Sequence, residues 1–235
     1  MANSPWIKIW RLCLDAPTEQ VASLRQILSE DEIVRADRFR GESLQHRFIV
    51  GRGVLRRILA GILRVLPQEI SFVYNGHGRP AVSREQCRGT DYGHFNISHT
   101  GDLALVAVTN LATVGIDVEQ YRKEEKLADL AQRFFSSGEF AEWQELPANQ
   151  QVAGFFAIWT QKEAFIKAIG QGLSYPLANF TVQARPNLPA RLLAIHDSSG
   201  DAVGWRLQHL ELEPGYSATV AAPAGAWNCK VEDWF

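Results

Sequence analysis

Two short stretches of this chain, 107 residues apart, open helices in the same way, and that repeat constrains the fold more than any other feature. Ser29-Glu-Asp-Glu32 and Ser136-Ser-Gly-Glu139 both fit a capping box, in which the serine accepts from the backbone and the glutamate reaches back. The same shift carries the helical pattern Phe48–Leu63 onto Phe155–Ile169 and sets Arg56 on Glu163. A short turn and a strand candidate follow each helix, Ile70-Ser-Phe-Val-Tyr74 and then Asn179-Phe-Thr-Val-Gln183. With further strand candidates at Leu103–Thr109 and Val114–Val118, the pattern predicts an α+β protein of two similar halves. Each half carries an antiparallel sheet packed on helices, a dimer-like arrangement within one chain. The seam falls near residue 112, giving halves 1–112 and 113–235. The short Asn110-Leu-Ala-Thr113 link reads as a hairpin turn as well as that boundary. Trp6–Asp15 is expected as an edge strand. Leu188–Phe235, with strand-like Trp205–Leu212 and Tyr216–Ala221, is expected to complete the second sheet.

The chain has 235 residues, 46% apolar and 21% charged, the make-up of an ordinary globular protein. No apolar run approaches the roughly 20 residues of a membrane span. Met1-Ala-Asn-Ser-Pro-Trp6 lacks the basic and apolar regions of a secretory signal. Cys13, Cys87 and Cys229 are odd in number and scattered, which fits neither a disulfide framework nor a zinc site. A reducing cytoplasm is the expectation. The net charge of −2 is unevenly spread. Residues 1–110 hold 14 Lys/Arg against 11 Asp/Glu, while the remainder hold 10 against 15. Arg35, Arg38, Arg40, Arg47, Arg52, Arg56, Arg57 and Arg64 supply most of the basic excess, and arginine's fixed fork suits phosphate oxygens. The acidic overall balance and the lack of a recurring basic-aromatic pattern speak against nucleic acid.

Three acids carry the clearest chemistry. In Val114-Gly-Ile-Asp-Val-Glu119 the apolar side chains alternate with the rest, so Asp117 and Glu119 emerge together on one face of a strand. In Trp159-Thr-Gln-Lys-Glu-Ala-Phe-Ile-Lys167 the spacing is helical, and Glu163 and Lys167 share a face. A strand offering two carboxylates and a helix offering a third suits Mg²⁺, which takes oxygen ligands and completes its shell with substrate phosphates. A cleft between two related halves, one wall arginine-rich and the other acidic, suits a polyphosphate ligand. Asn75-Gly-His-Gly-Arg-Pro80 is a turn-rich loop that brings backbone amides and a guanidinium to a surface. Phe95-Asn-Ile-Ser-His-Thr100 ends a short apolar stretch in polar groups. Gly170-Gln-Gly-Leu-Ser174 closes the Glu163 helix with glycines suited to left-handed caps.

In this order and spacing the segments resemble the surfactin-type 4′-phosphopantetheinyl transferase family. The resemblance rests on Gly78-Arg-Pro80, Phe95–His99, Gly115-Ile-Asp-Val-Glu119, Trp159–Ala168 and Gly170-Gln-Gly-Leu173. Leu130–Ser136 and Arg38-Phe39 with His46-Arg47 and Gly51 also fit, so it runs from about residue 29 to about residue 183. It implies transfer of phosphopantetheine from coenzyme A to a serine of an acyl or peptidyl carrier protein, leaving adenosine 3′,5′-bisphosphate. Asp117, Glu119 and Glu163 are then expected to bind Mg²⁺. Glu163 takes the serine proton, directly or through a metal-bound water, and Lys167 contacts the pyrophosphate or assists that transfer. Lys162 is assigned to the phosphates as well. Gly78, Arg79 and Pro80 line the adenine pocket, Ser98 and His99 reach the 3′-phosphate or pyrophosphate, and Arg35 and Arg47 hold the 3′-phosphate. Tyr121–Leu127 is a candidate carrier surface or a solvated loop. A chain with both units can build the site internally, so a monomer is expected. Two rival readings use the same residues, a metal-dependent phosphohydrolase of coenzyme A-like esters and a non-catalytic module that binds a carrier or coenzyme A.

Overall fold

The computed structural model describes residues 4–83, 85–87, 94–122, 126–197 and 201–234. Strand β1 (Trp6–Cys13) leads into helices α1 (Thr18–Arg25), α2 (Glu30–Asp37) and α3 (Glu42–Leu63). Strands β2 (Phe72–Tyr74), β3 (Pro80–Val82), β4 (His94–Thr100), β5 (Leu103–Thr109) and β6 (Gly115–Gln120) follow. Helices α4 (Leu127–Phe134), α5 (Ser137–Gln144) and α6 (Ala148–Ile169) come next. The chain closes with β7 (Phe180–Val182), β8 (Leu192–Ile195), β9 (Trp205–His209), β10 (Tyr216–Pro223) and β11 (Asn228–Asp233). The fold is mixed α+β.

A four-stranded sheet has the order β11-β1-β5-β4, and a three-stranded sheet has the order β6-β10-β9. The apolar run of β5, Leu103–Thr109, is buried on both faces, which is why it does not alternate. Ala104, Val106 and Val108 pack in one core with Leu55 and Leu59 of α3. Leu105 and Ala107 turn the other way and pack with Ile7 and Ile9 of β1 against Ile116, Val118 and Val220 of the second sheet. The far side of that second sheet lies under α6. The layers therefore run helix, sheet, sheet, helix, and each sheet serves two cores.

Both capping glutamates reach back as the sequence predicts, Glu32 to the Ser29 amide at 3.0 Å and Glu139 to the Ser136 amide at 2.7 Å. Each also has a second task. Glu32 is buried against Arg52 at 2.9 Å and Arg56 at 2.6 Å. Glu139 is buried against Lys162 at 2.8 Å. The long helices α3 and α6 both span 22 residues and end in left-handed caps, at Arg64 and at Gly170. Aligning them end to end moves the repeat by one residue, so the counterpart of Arg56 is Lys162 and not Glu163. The buried acid-to-base pairs fall in register under that alignment. A short insertion between box and helix hides the slip from the sequence.

Further expectations change in the strand pairing. β1 is not an edge strand: it lies between β5, antiparallel, and β11, parallel. The tail completes both sheets, because β9 and β10 join β6 whereas β11 returns to the first sheet. The first sheet is therefore not wholly antiparallel, because β11 pairs with β1 in parallel. The 110–113 link is no hairpin turn, since β5 and β6 belong to different sheets. Among the described residues no helix is long and apolar enough to cross a membrane.

Candidate active site

Strand β6 pairs with β10 along one edge and meets β4 along the other without a backbone ladder. Asn96 Oδ1 accepts from the Ile116 amide at 2.9 Å. Ser98 Oγ accepts from Val118 and Thr100 Oγ1 from Gln120, both at 3.3 Å. Alternate side chains of one strand thus satisfy alternate amides of the other, as the two-residue period of both strands allows. Sequence reasoning singled out Ser98 but missed Asn96 and Thr100. The signal was there in the polar alternation Asn96-Ile-Ser98-His-Thr100.

This seam holds the acids. Asp117 is buried, with its Oδ1 2.8 Å from Ser98 Oγ and 2.6 Å from Lys167 Nζ. Its Oδ2 is buried and has no hydrogen-bond partner. Lys167 Nζ also lies 3.0 Å from Ser98 Oγ. Glu119 stands farther along β6, with Thr100 Oγ1 at 3.5 Å and Arg122 at 3.8 Å. Glu163 faces both acids from α6. Burial first, then the charge of Asp117, pushes its carboxyl up to about 7, against the pull of Lys167, and Glu119 adds to the rise. Burial and the charge of Asp117 raise Glu119 as well. These three carboxylates are held close enough to repel one another. Among the described residues no group of three or more His, Cys, Asp or Glu side chains is drawn in tightly enough to hold a metal outright. The donors nonetheless fit a hard cation: all are carboxylate oxygens, one is buried and unsatisfied, and the repulsion among them calls for positive charge.

Helix α6 can bring Glu163 this near because Gly115 has no side chain. A Cβ there would sit 2.0 Å from the Ala164 carbonyl oxygen and 2.4 Å from the Ala168 amide nitrogen. The loop Asn75–Pro80 docks on the end of the same helix. Arg79 donates to the carbonyls of Lys167 and Ala168 and, at 2.8 Å, to that of Val114. Asn75 Nδ2 donates to the Gly170 carbonyl at 3.2 Å. Cationic groups at a helix C-terminus meet the negative end of its dipole. A cavity of about 190 Å³ opens between this loop and the seam, lined in part by Gly78, Arg79, Pro80, Phe95, Lys167 and Gly170.

The expected residues fall into separate groups. Asp117, Glu119, Glu163, Lys167 and Ser98 come together. Gly78, Arg79 and Pro80 line the adjacent cavity, although most of the Arg79 guanidinium is committed to carbonyls. His99 keeps part of its surface in solvent, but its ring is partly desolvated, and that desolvation, then the charges of Lys167 and Arg47, lowers its imidazole, which sets Arg47 on the same side. Arg35 is exposed and its guanidinium stacks over Phe48, 5.3 Å from the ring centroid. Lys162 does not belong with them. It is 0% exposed, and its ammonium is spent on Glu139 and on the carbonyls of Leu177 and Phe180, each at 2.8 Å. One residue before Glu163 on a helix, it points about 100° away, into the core. Arg52 and Arg56 leave the expected arginine wall for the same reason, since Glu32 holds both inside the first half. Of the candidate carrier surface, residues 123–125 lie outside the described residues.

The family model described as the 4′-phosphopantetheinyl transferase superfamily matches residues 113–221, and one described as the N-terminal part of 4′-phosphopantetheinyl transferase matches residues 15–111. The 4′-phosphopantetheinyl transferase HetI of Nostoc sp. is 37% identical, across 95% of this chain and 90% of its own length. The transferase psf-1 of Bacillus pumilus is 34% identical, across 91% and 87%. The transferase Sfp of Bacillus subtilis is 27% identical, across 92% of each. Likeness of that degree spans most of this chain and most of each relative. This chain belongs to the surfactin-type 4′-phosphopantetheinyl transferase family.

Proposed function

We propose that the protein transfers phosphopantetheine from coenzyme A to a serine hydroxyl of a carrier protein, using a dimer-like cleft in which Asp117, Glu119 and Glu163 hold Mg²⁺. The observation that carries this reading is the mutual repulsion of these three acids beside the buried, unsatisfied Oδ2 of Asp117. When bound, the ion supplies positive charge against the pyrophosphate and its leaving oxygen. The chain's own groups do the rest. Lys167, now paired with Asp117, is free to turn to a phosphate once the acids are neutralised. The cavity beside Gly78–Pro80 receives the adenine end, with His99, Arg47 and Arg35 on the side from which the 3′-phosphate would approach. The serine oxygen forms a bond to the phosphorus that bears pantetheine, and the bond from that phosphorus to the oxygen of the adenosine 5′-phosphate breaks. The serine proton passes to the Glu163 carboxylate, which faces the site from α6 and is deprotonated when the ion is held. The products are the modified carrier and adenosine 3′,5′-bisphosphate.

The test is mass spectrometry of an apo carrier after incubation with coenzyme A. With Mg²⁺ the carrier gains one phosphopantetheine on one serine; with a chelator it gains none. Release of pantetheine phosphate without a carrier would instead favour a phosphohydrolase, and tight carrier binding with no mass gain would favour a passive module.

A second expected result needs no substrate. Ion binding requires Glu163 to lose its proton, so Mg²⁺ must displace that proton below about pH 7. The rise in melting temperature caused by Mg²⁺ is therefore expected to be large near pH 8 and to shrink as pH falls through about 7. Without Mg²⁺ the sign reverses. The native state holds a proton on Glu163 that an unfolded glutamate loses near its ordinary value of 4.5, so stability falls as pH rises from there to about 7. Melting curves with and without Mg²⁺ across that range check both; a Mg²⁺ effect independent of pH would remove Glu163 from the ion's shell.

A further inference from the structure

Behind the acids lies a second polar cluster that the reaction as written does not use. The register of the second sheet pairs Thr219 with Asp117 and Ser217 with Glu119. It also pairs Thr219 with His209. Cross-strand partners share a face, so a row of two hydroxyls runs beside the two acids, under α6. Thr160 of α6 sits directly over that row. Its Oγ1 is 3.0 Å from Ser217 Oγ and 3.1 Å from Thr219 Oγ1, and His209 Nδ1 is 3.2 Å from Thr219 Oγ1. Thr160 and Thr219 are fully buried and Ser217 nearly so. A valine or alanine in each place would fill the same space without desolvating a hydroxyl. What the hydroxyls add is direction.

We infer that Thr160 is a positioning residue for the acidic site, and that its bonds to Ser217 and Thr219 fix how far α6 is advanced along the sheet that carries Asp117 and Glu119. The apolar contacts of α6 are non-directional and tolerate sliding along the helix axis. Gly115 sets how close the helix comes, and the directional ties of Thr113 Oγ1 to the Ala168 carbonyl at 2.6 Å and of Lys167 to Asp117 lie beyond Glu163, so Thr160 holds the helix on the N-terminal side of that acid. Hydrogen bonds weaken steeply with distance and angle, so one oxygen held between two strand hydroxyls resists sliding in either direction. Glu163 lies three residues beyond Thr160, about 4.5 Å along the same rigid helix, so any slip at the bracket reaches its carboxylate undiminished. The ladder partners of the bracket are the other two acids, so it ties the helix that carries Glu163 to the strand register of Asp117 and Glu119. Trp159-Thr-Gln-Lys-Glu163 holds these tasks in one turn: Thr160 sets the offset, Lys162 anchors the core, and Glu163 serves the site.

This inference rests on the acids being the Mg²⁺ site, and the experiment separates the two. Transfer is measured against Mg²⁺ concentration for the wild type, Thr160→Val and Thr160→Ser, and Mg²⁺ binding is followed separately by calorimetry without substrate. Thr160→Val is expected to raise the half-saturating Mg²⁺ by about tenfold, the low end of what partners behind metal ligands cost, with the KM for carrier near that of the wild type. Thr160→Ser, which keeps the oxygen, is expected to restore Mg²⁺ binding. A variant that melts earlier but binds Mg²⁺ like the wild type overturns the inference and leaves the magnesium site standing. A wild type that shows no response to Mg²⁺ overturns both. If Thr160→Val does not fold, Ser217→Ala removes one of the two bonds and carries the same test, with a smaller shift in the same direction expected.

Discussion

Asp117→Ala is expected to abolish transfer while the protein stays folded. The substitution deletes the acid of the seam whose buried Oδ2 has no hydrogen-bond partner, and with it the attraction that draws a cation there. Lewis-acid stabilisation of several kcal/mol at about 1.4 kcal/mol per tenfold corresponds to a loss of about 10³-fold or more. The fold should survive because the two α6 residues that face Asp117 can adapt. Lys167 loses its ion pair but is 25% exposed, so water can take the place of Asp117. Glu163 loses the strongest of the charges that repel it, and its carboxyl should fall from about 7 towards the ordinary range. Carrier mass gain measures the first effect. Melting in the absence of Mg²⁺ measures the second, with a midpoint near or above that of the wild type. Undiminished transfer by this variant would remove Asp117 from the site.

Glu139→Ala is expected to be among the most destabilising single substitutions in the chain, at about 3–5 kcal/mol. Lys162 is wholly buried, and burial already pulls its ammonium down to about 8 against the opposing effect of Glu139. Removing the acid leaves an uncompensated charge in the core. It also removes the acceptors of two backbone amides, Ser136 and Val182, both at 2.7 Å. Lys162→Met should cost less, because the Glu139 carboxylate it leaves without its cation still accepts from the Ser136 and Val182 amides, whereas Glu139→Ala strands a buried ammonium and two amides together. Denaturant midpoints give the ordering. The two substitutions also divide the structural role of Lys162 from the phosphate contact that family resemblance implies. If Lys162 is an anchor, folded Lys162→Met should show a near-wild-type KM for coenzyme A, whereas a large rise in that KM would put Lys162 back at the phosphates.

Much of the architecture could be read from local pattern. Period-two alternation marked β6, helical spacing marked α3 and α6, and the two serine-to-glutamate boxes marked the starts of the helices ahead of them. These signals come from neighbours in sequence and survive without tertiary context. Pairing was less legible. Nothing in Asn228–Asp233 distinguishes a strand that joins β9 from one that returns to β1, because both choices offer the same backbone donors and acceptors. The Trp6–Cys13 strand looked like an edge for the same reason: edge and interior positions differ in partners, and a single strand does not encode its partners.

The sequence by itself determined that acids, a lysine and two glycine-bearing loops occur in the order of one transferase family, and that helices and strands repeat. Only the tertiary structure decided which charges face a ligand and which face each other. Arg56, Lys162 and Glu163 all read as charged residues on long helices. Two of them are buried against capping glutamates, while the third confronts two acids across the seam. The physical reason is that a helix turns about 100° per residue. A one-residue slip in an inferred repeat therefore exchanges a core anchor for a site ligand, and only contacts between distant segments reveal which is which.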